Sequence, residues 1–175
     1  DAAMDASDIT QVPGDPKSDA TTEVIEGPHP DRIVGKRFAD CIVERKLGEG
    51  GMGAVYLGTQ HPLDRKVAIK ILPRALSVDP EFVSRFIREA KAAARLDHPN
   101  CCAVYSVGNQ GQTYFIVMQF VDGESLGARL ERTGPFPPAD AGRLIRDAAR
   151  GLDAAHRAGI IHRDVKPDNI MVTRA

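Results

Sequence analysis

Short runs rich in β-branched and aromatic residues open the patterned part of the chain: Cys41-Ile42-Val43, Ala54-Val55-Tyr56-Leu57 and Lys66-Val67-Ala68-Ile69-Lys70-Ile71-Leu72. They predict three successive antiparallel strands. The period then changes. Asp79-Pro80 reads as a helix N-cap followed by proline at the first helical position, where a missing N–H does no harm. Phe82, Phe86, Ala90 and Ala93 recur at helical spacing, so a helix is expected to about Leu96, with Asp97-His98-Pro99-Asn100 as its stop. Two further strands are predicted near Cys102–Val107 and Thr113–Met118, around the turn-rich Gly108-Asn109-Gln110-Gly111. The sum is a five-stranded antiparallel sheet with one helix. Beyond Asp122-Gly123 the pattern is helical: Ser125 to about Arg132, the breaker Gly134-Pro135-Phe136-Pro137-Pro138, then Ala139 to Ala158, stopped by Gly159. Asp122-Gly123 therefore reads as a hinge between a sheet-rich part and a helical part of an α+β fold.

Charge changes the picture at the start of the chain. Residues 1–37 hold eight acidic and four basic side chains and no aromatic residue, which predicts a flexible acidic tail. That tail carries −4 of a total charge of −1, so residues 38–175 carry +3. Such a balance draws the protein toward neither nucleic acid nor anionic lipid. No apolar run approaches the length of a membrane span, and Asp1-Ala2-Ala3-Met4-Asp5 lacks the basic end of a secretory signal. A cytoplasmic location is expected. The absence of an initiator Met suggests a piece of a longer product. Cys41, Cys101 and Cys102 offer neither a disulfide framework nor zinc spacing, and read as reduced thiols.

The candidate chemistry begins at Gly48-Glu49-Gly50-Gly51-Met52-Gly53, which fits G-x-G-x-x-G. Alone this is weak. A dinucleotide-binding turn would lead into a helix, yet Ala54-Val55-Tyr56-Leu57 is strand-like. A Walker A loop needs Gly-Lys-Ser/Thr, and Gly53 is followed by Ala54. What remains is a glycine hairpin between strands, either a plain turn or a cover for nucleotide phosphates. On the third predicted strand, alternation puts Ala68 and Lys70 on one face and Val67, Ile69 and Ile71 on the core face. A lone strand lysine is usually a solvated charge, but Glu89 in the following helix is a candidate partner. Last comes His162-Arg163-Asp164-Val165-Lys166-Pro167-Asp168-Asn169, directly after the apolar pair Ile160-Ile161.

With these three motifs in this order, the chain from about Phe38 to Ala175 resembles a Hanks-type protein kinase, similar to bacterial serine/threonine kinases. The resemblance implies a kinase-like fold, with an N-lobe and hinge over 38–121 and a partial C-lobe over 122–175. It implies ATP and Mg2+ as cofactors and serine- or threonine-bearing proteins as substrates, with a homodimer as a route to autophosphorylation. In the catalytic machinery, Asp164 would orient the substrate hydroxyl and accept its proton, Lys166 would neutralise the moving phosphate, Asn169 would hold Mg2+, and Glu89 would hold Lys70 on the α and β phosphates. The nucleotide pocket would comprise Leu47, Gly48, Glu49, Gly50, Gly51, Met52, Gly53, Ala54, Val55, Ala68 and Lys70, with Met118, Gln119 and Val121 from the hinge. His162 would be scaffold. Arg163 beside Asp164 resembles kinases switched on by activation-loop phosphorylation, where a buried arginine needs an anionic partner.

The family's Asp-Phe-Gly segment is not among these residues, so the piece alone is expected to be a poor enzyme. Two other readings remain at this point: a nucleotide-binding or dimerising module without turnover, and a small-molecule phosphotransferase, which Arg163 and Lys166 disfavour. Cys101-Cys102 also departs from the aliphatic pair expected in its strand, an effect on packing more than chemistry.

Overall fold

The computed structural model describes residues 33–50 and 53–173. One antiparallel sheet contains, in spatial order, β1 (Arg37–Phe38), β2 (Cys41–Gly50), β3 (Gly53–Gln60), β4 (Arg65–Ile71), β6 (Thr113–Gln119) and β5 (Val104–Gln110). The five strands expected from the sequence are all present, and the two-residue β1 adds a sixth at the edge. The folded body also starts earlier than the boundary drawn at residue 37. Ile33 is buried in the core cluster with Phe38, Val43 and Tyr56, and the Gly35 N–H donates to the Val43 carbonyl at 2.8 Å. Residues 1–32, most of the expected tail, lie outside the described residues.

Alternation along β4 sorts its side chains as expected. Val67, Ile69 and Ile71 enter the core with Phe115 and Val117 of β6, and the Phe38 and Phe115 rings lie 5.3 Å apart. Full burial of such side chains stabilises by about 1.5–3 kcal/mol each, so this face anchors the sheet. Ala68 and Lys70 take the other face, in register with Met118 and Ile116 of β6 and with Leu57 and Val55 of β3.

A one-turn helix, α1 (Arg74–Ser77), precedes α2 (Pro80–Ala93) and has no sequence signal beyond Pro73 at its start. The Asp79 carboxylate caps α2, accepting from the Glu81 and Phe82 N–H groups. α2 stops three residues short of Leu96, because Ala94 and Arg95 already turn ahead of the Pro99 segment. The next strand begins at Val104, so Cys101 and Cys102 precede it rather than lying within it. The Cys101 thiol instead donates to the Gly151 carbonyl at 3.3 Å.

That bond ties the loop before β5 to the helical part, which contains α3 (Leu126–Thr133) and α4 (Pro138–Arg157). A Cβ at Gly151 would meet the Asn100 carbonyl oxygen at 2.6 Å, so the close approach of α4 depends on glycine there. A second small sheet pairs β7 (Gly123–Ser125) with β8 (Met171–Thr173). Asp122-Gly123, expected as a hinge, leads from β6 into this small sheet and on to α3. A Cβ at Gly123 would lie 2.1 Å from the Val172 carbonyl oxygen, so this glycine serves backbone approach between paired strands.

Candidate active site

The glycine hairpin joins β2 to β3, with Gly48 opposite Val55, Glu49 opposite Ala54 and Gly50 opposite Gly53. Its glycines answer to different demands. Gly53 has φ +116°, and a Cβ there would lie 2.1 Å from the Ile71 carbonyl oxygen, so the fold itself requires it. Gly48 and Gly50 have nothing within 4 Å of an added Cβ and no positive φ. Space on their side suits the approach of a bulky anion such as a phosphate chain to bare backbone. Glu49 is ion-paired to Lys46, and Leu47 is exposed beside it. Gly51 and Met52 lie outside the described residues.

Beneath the hairpin, Val55 and Lys70 are cross-strand partners and Ala68 pairs with Met118, so the residues expected around a flat base share one face of the sheet. Past Met118, the Gln119 N–H is taken by the Ala103 carbonyl at 2.8 Å, while Val121 follows the end of β6 outside any ladder.

Lys70 is half-buried, and loss of solvent pulls its pKa below the ordinary lysine value. The charges of Glu89 and Asp164 oppose that shift. This places a residue from β4, one from α2 and one from the loop after α4 in a common electrostatic field, although they are far apart in sequence. Glu89 is exposed on α2 and acts on Lys70 at a distance, without closing to an ion pair.

Asp164, Lys166 and Asn169 form one cluster. The Asn169 amide donates to the Asp164 carboxylate at 2.8 Å and to its carbonyl at 2.9 Å, and the Lys166 ammonium lies 3.2 Å from the same carboxylate. Lys166 and then Asn169 hold the Asp164 carboxyl below the usual carboxylate range, so it is ionised at neutral pH. A 3-10 turn over Pro167–Asn169 brings Asn169 back to Asp164. His162, expected as scaffold, accepts at its Nδ1 from the Asp164 N–H at 3.4 Å. The expected buried Arg163 is instead exposed, in the left-handed region at φ +63°, a strained geometry for a side chain of this size.

Two features of this region had no sequence signal. Beside the β7–β8 pair, the Leu126 N–H donates to the Ile170 carbonyl at 2.7 Å, fixing the end of the segment that holds Asp164 and Asn169 to the start of α3. Gly127 is so close to Asp168 that a Cβ would lie 2.2 Å from its carboxylate oxygen.

The pattern of the protein kinase domain matches residues 41–175. The chain belongs to the protein kinase family. It is 46% identical over 141 residues to the serine/threonine-protein kinase PknJ of Mycobacterium tuberculosis, covering 81% of this chain and 24% of that protein. Against the serine/threonine-protein kinase PrkC of Bacillus subtilis it is 40% identical over 141 residues, covering 80% of this chain and 22% of the relative. The crystal structure of the Mycobacterium tuberculosis PknI kinase domain superimposes with a TM-score of 0.70 at 36% identity, covering 79% of this kinase chain and 57% of that one. The chain thus spans about a quarter of the length of these curated relatives.

Proposed function

We propose that this chain supplies the nucleotide grip and the catalytic aspartate of a serine/threonine protein kinase, which moves the γ-phosphoryl group of ATP to a protein hydroxyl. The observation that carries this reading is the Asp164–Lys166–Asn169 cluster, whose aspartate also bears on Lys70. In that reaction the hydroxyl oxygen bonds to the γ-phosphorus, the bond from that phosphorus to the β,γ-bridging oxygen breaks, and the hydroxyl proton passes to the Asp164 carboxylate. A carboxylate held ionised by Lys166 and Asn169 is a weak base. It therefore orients the hydroxyl early and takes the proton late. Lys70 meets the phosphates from the sheet side, and Lys166 offsets charge on the group in flight.

The residues fit a magnesium ion. Asn169 gives its amide nitrogen to Asp164, which leaves its side-chain oxygen for a hard cation. Magnesium takes few protein oxygens and completes its shell with phosphate and water, so Asn169 would be one of its protein ligands here. When bound, Mg2+ neutralises phosphate charge.

The test is transfer of labelled γ-phosphate to an acceptor protein by the full-length product carrying these residues. Asp164→Asn and Lys70→Met should each slow transfer about a thousandfold. Undiminished transfer in both would refute the assignment. ATP binding without transfer by the wild type would leave only a nucleotide-binding module.

A further inference from the structure

Residues 100–103, between α2 and β5, are tied on two sides through adjacent thiols. The Cys101 thiol donates to the Gly151 carbonyl of α4 at 3.3 Å, and the Cys102 thiol donates to the Gln119 carbonyl at the end of β6, also at 3.3 Å. Backbone groups reinforce the second tie: the Gln119 N–H donates to the Ala103 carbonyl at 2.8 Å, and the Ala103 N–H donates to the Gln119 side-chain oxygen at 3.3 Å. The join to α4 instead leans on the Cys101 S–H, beside the close approach of the Asn100 carbonyl to Gly151.

An aliphatic pair in this place would pack but could not change its covalent state. Two thiols can. Cys102 is exposed and Cys101 half-buried, so a small oxidant reaches Cys102 first. Loss of solvent raises both thiols above the ordinary value, and the neighbouring Cys101 adds to the shift at Cys102. Little thiolate is present at neutral pH, so the pair reacts slowly and rests reduced.

We propose that Cys101 and Cys102 are a dithiol–disulfide switch that answers to hydrogen peroxide and controls the seat of α4. The Cys102 sulfur attacks one peroxide oxygen, the O–O bond breaks, and a sulfenic acid and water form. The Cys101 sulfur then displaces the hydroxyl, which leaves with the thiol proton as a second water. One S–S bond has formed and two electrons have passed from sulfur to oxygen. Adjacent Cα atoms lie about 3.8 Å apart, below the roughly 4.4–6.8 Å of ordinary disulfides, so this bond is strained and easily reduced by thiols. Its formation withdraws both S–H donors. β6 keeps its backbone bond to Ala103, whereas α4 loses its hydrogen bond from Cys101. Any effect on phosphoryl transfer rests on the proposed kinase function; the disulfide and the loosening of α4 do not.

Peroxide treatment of the full 175-residue chain, followed by alkylation and peptide mass spectrometry, tests this. The peptide holding both residues should lose two hydrogens, refuse alkylation, and regain both sites in dithiothreitol, while the buried Cys41 stays unchanged. Amides of residues 148–155 should exchange about threefold faster on oxidation, with those of residues 54–71 unaffected. Cys101→Ala/Cys102→Ala, and Cys102→Ser alone, should each abolish the response to peroxide. Two free thiols after peroxide, oxygen added at Cys102 alone, or a dimer linked through Cys102 overturns the switch. A disulfide that leaves exchange in α4 unaltered overturns its control of that helix.

Discussion

Gly53 and Gly50 differ by three positions and by almost everything a side chain would meet. Gly53→Ala forces a Cβ onto the Ile71 carbonyl oxygen at φ +116°, and should destabilise the fold by about 3 kcal/mol in urea titrations. Gly50→Ala meets open space, and should shift stability by no more than about 0.5 kcal/mol while weakening ATP binding in calorimetry. Lys70 shows a related conflict between fold and site. Its pKa is lowered chiefly by desolvation, so the ammonium weakens the fold at pH values below that pKa, and the penalty lifts as pH rises through it. Lys70→Met should therefore raise the urea midpoint at neutral pH even as phosphoryl transfer is lost. Cys41 is inert for a similar reason. Burial and the nearby Asp40 carboxylate push its thiol up to about 12, so it should resist alkylation at pH 8 until the protein is unfolded.

Among the elements, α2 has the clearest local logic: Asp79 caps it, Pro80 opens it, and Ala90 is its buried contact. Asp79→Ala should cost about 1 kcal/mol, read as a lower midpoint in urea denaturation monitored by circular dichroism. The strands β2 to β6 were legible because each carries β-branched or aromatic residues between turn residues. β1, α1 and the β7–β8 pair were not. β1 and β8 have two and three residues, too few for any period to emerge, and β7 forms only because β8 arrives from almost fifty residues away. Cys101 shows the same limit, since its role depends on Gly151 in a different helix.

For the molecule as a whole, acid sensitivity should come from the outer carboxylates. Gln60 chiefly lowers the Asp40 pKa, and Lys66 chiefly lowers that of Glu44. Their contribution is complete above the unfolded carboxylate value of about 4 and disappears as pH falls through the depressed folded values. Thermal midpoints should therefore drop below about pH 4. Replacing Glu44 with Gln should flatten that drop.

The residue types and spacings of Gly48 to Gly53, Lys70 and Asp164 to Asn169 pointed to the proposed chemistry, because a phosphate grip and an ionised carboxylate need particular groups at particular intervals along one strand or loop. Alternation likewise sent Ala68 and Lys70 to one face and Val67, Ile69 and Ile71 to the other. Only the tertiary structure decided that Lys70 lies within the field of Asp164, that Glu89 stands off from it, and that Arg163 is exposed. Those outcomes depend on how β4, α2 and the loop after α4 pack together in space. Packing is a non-local sum of many small contacts, whereas periodicity reports only on neighbours along the chain.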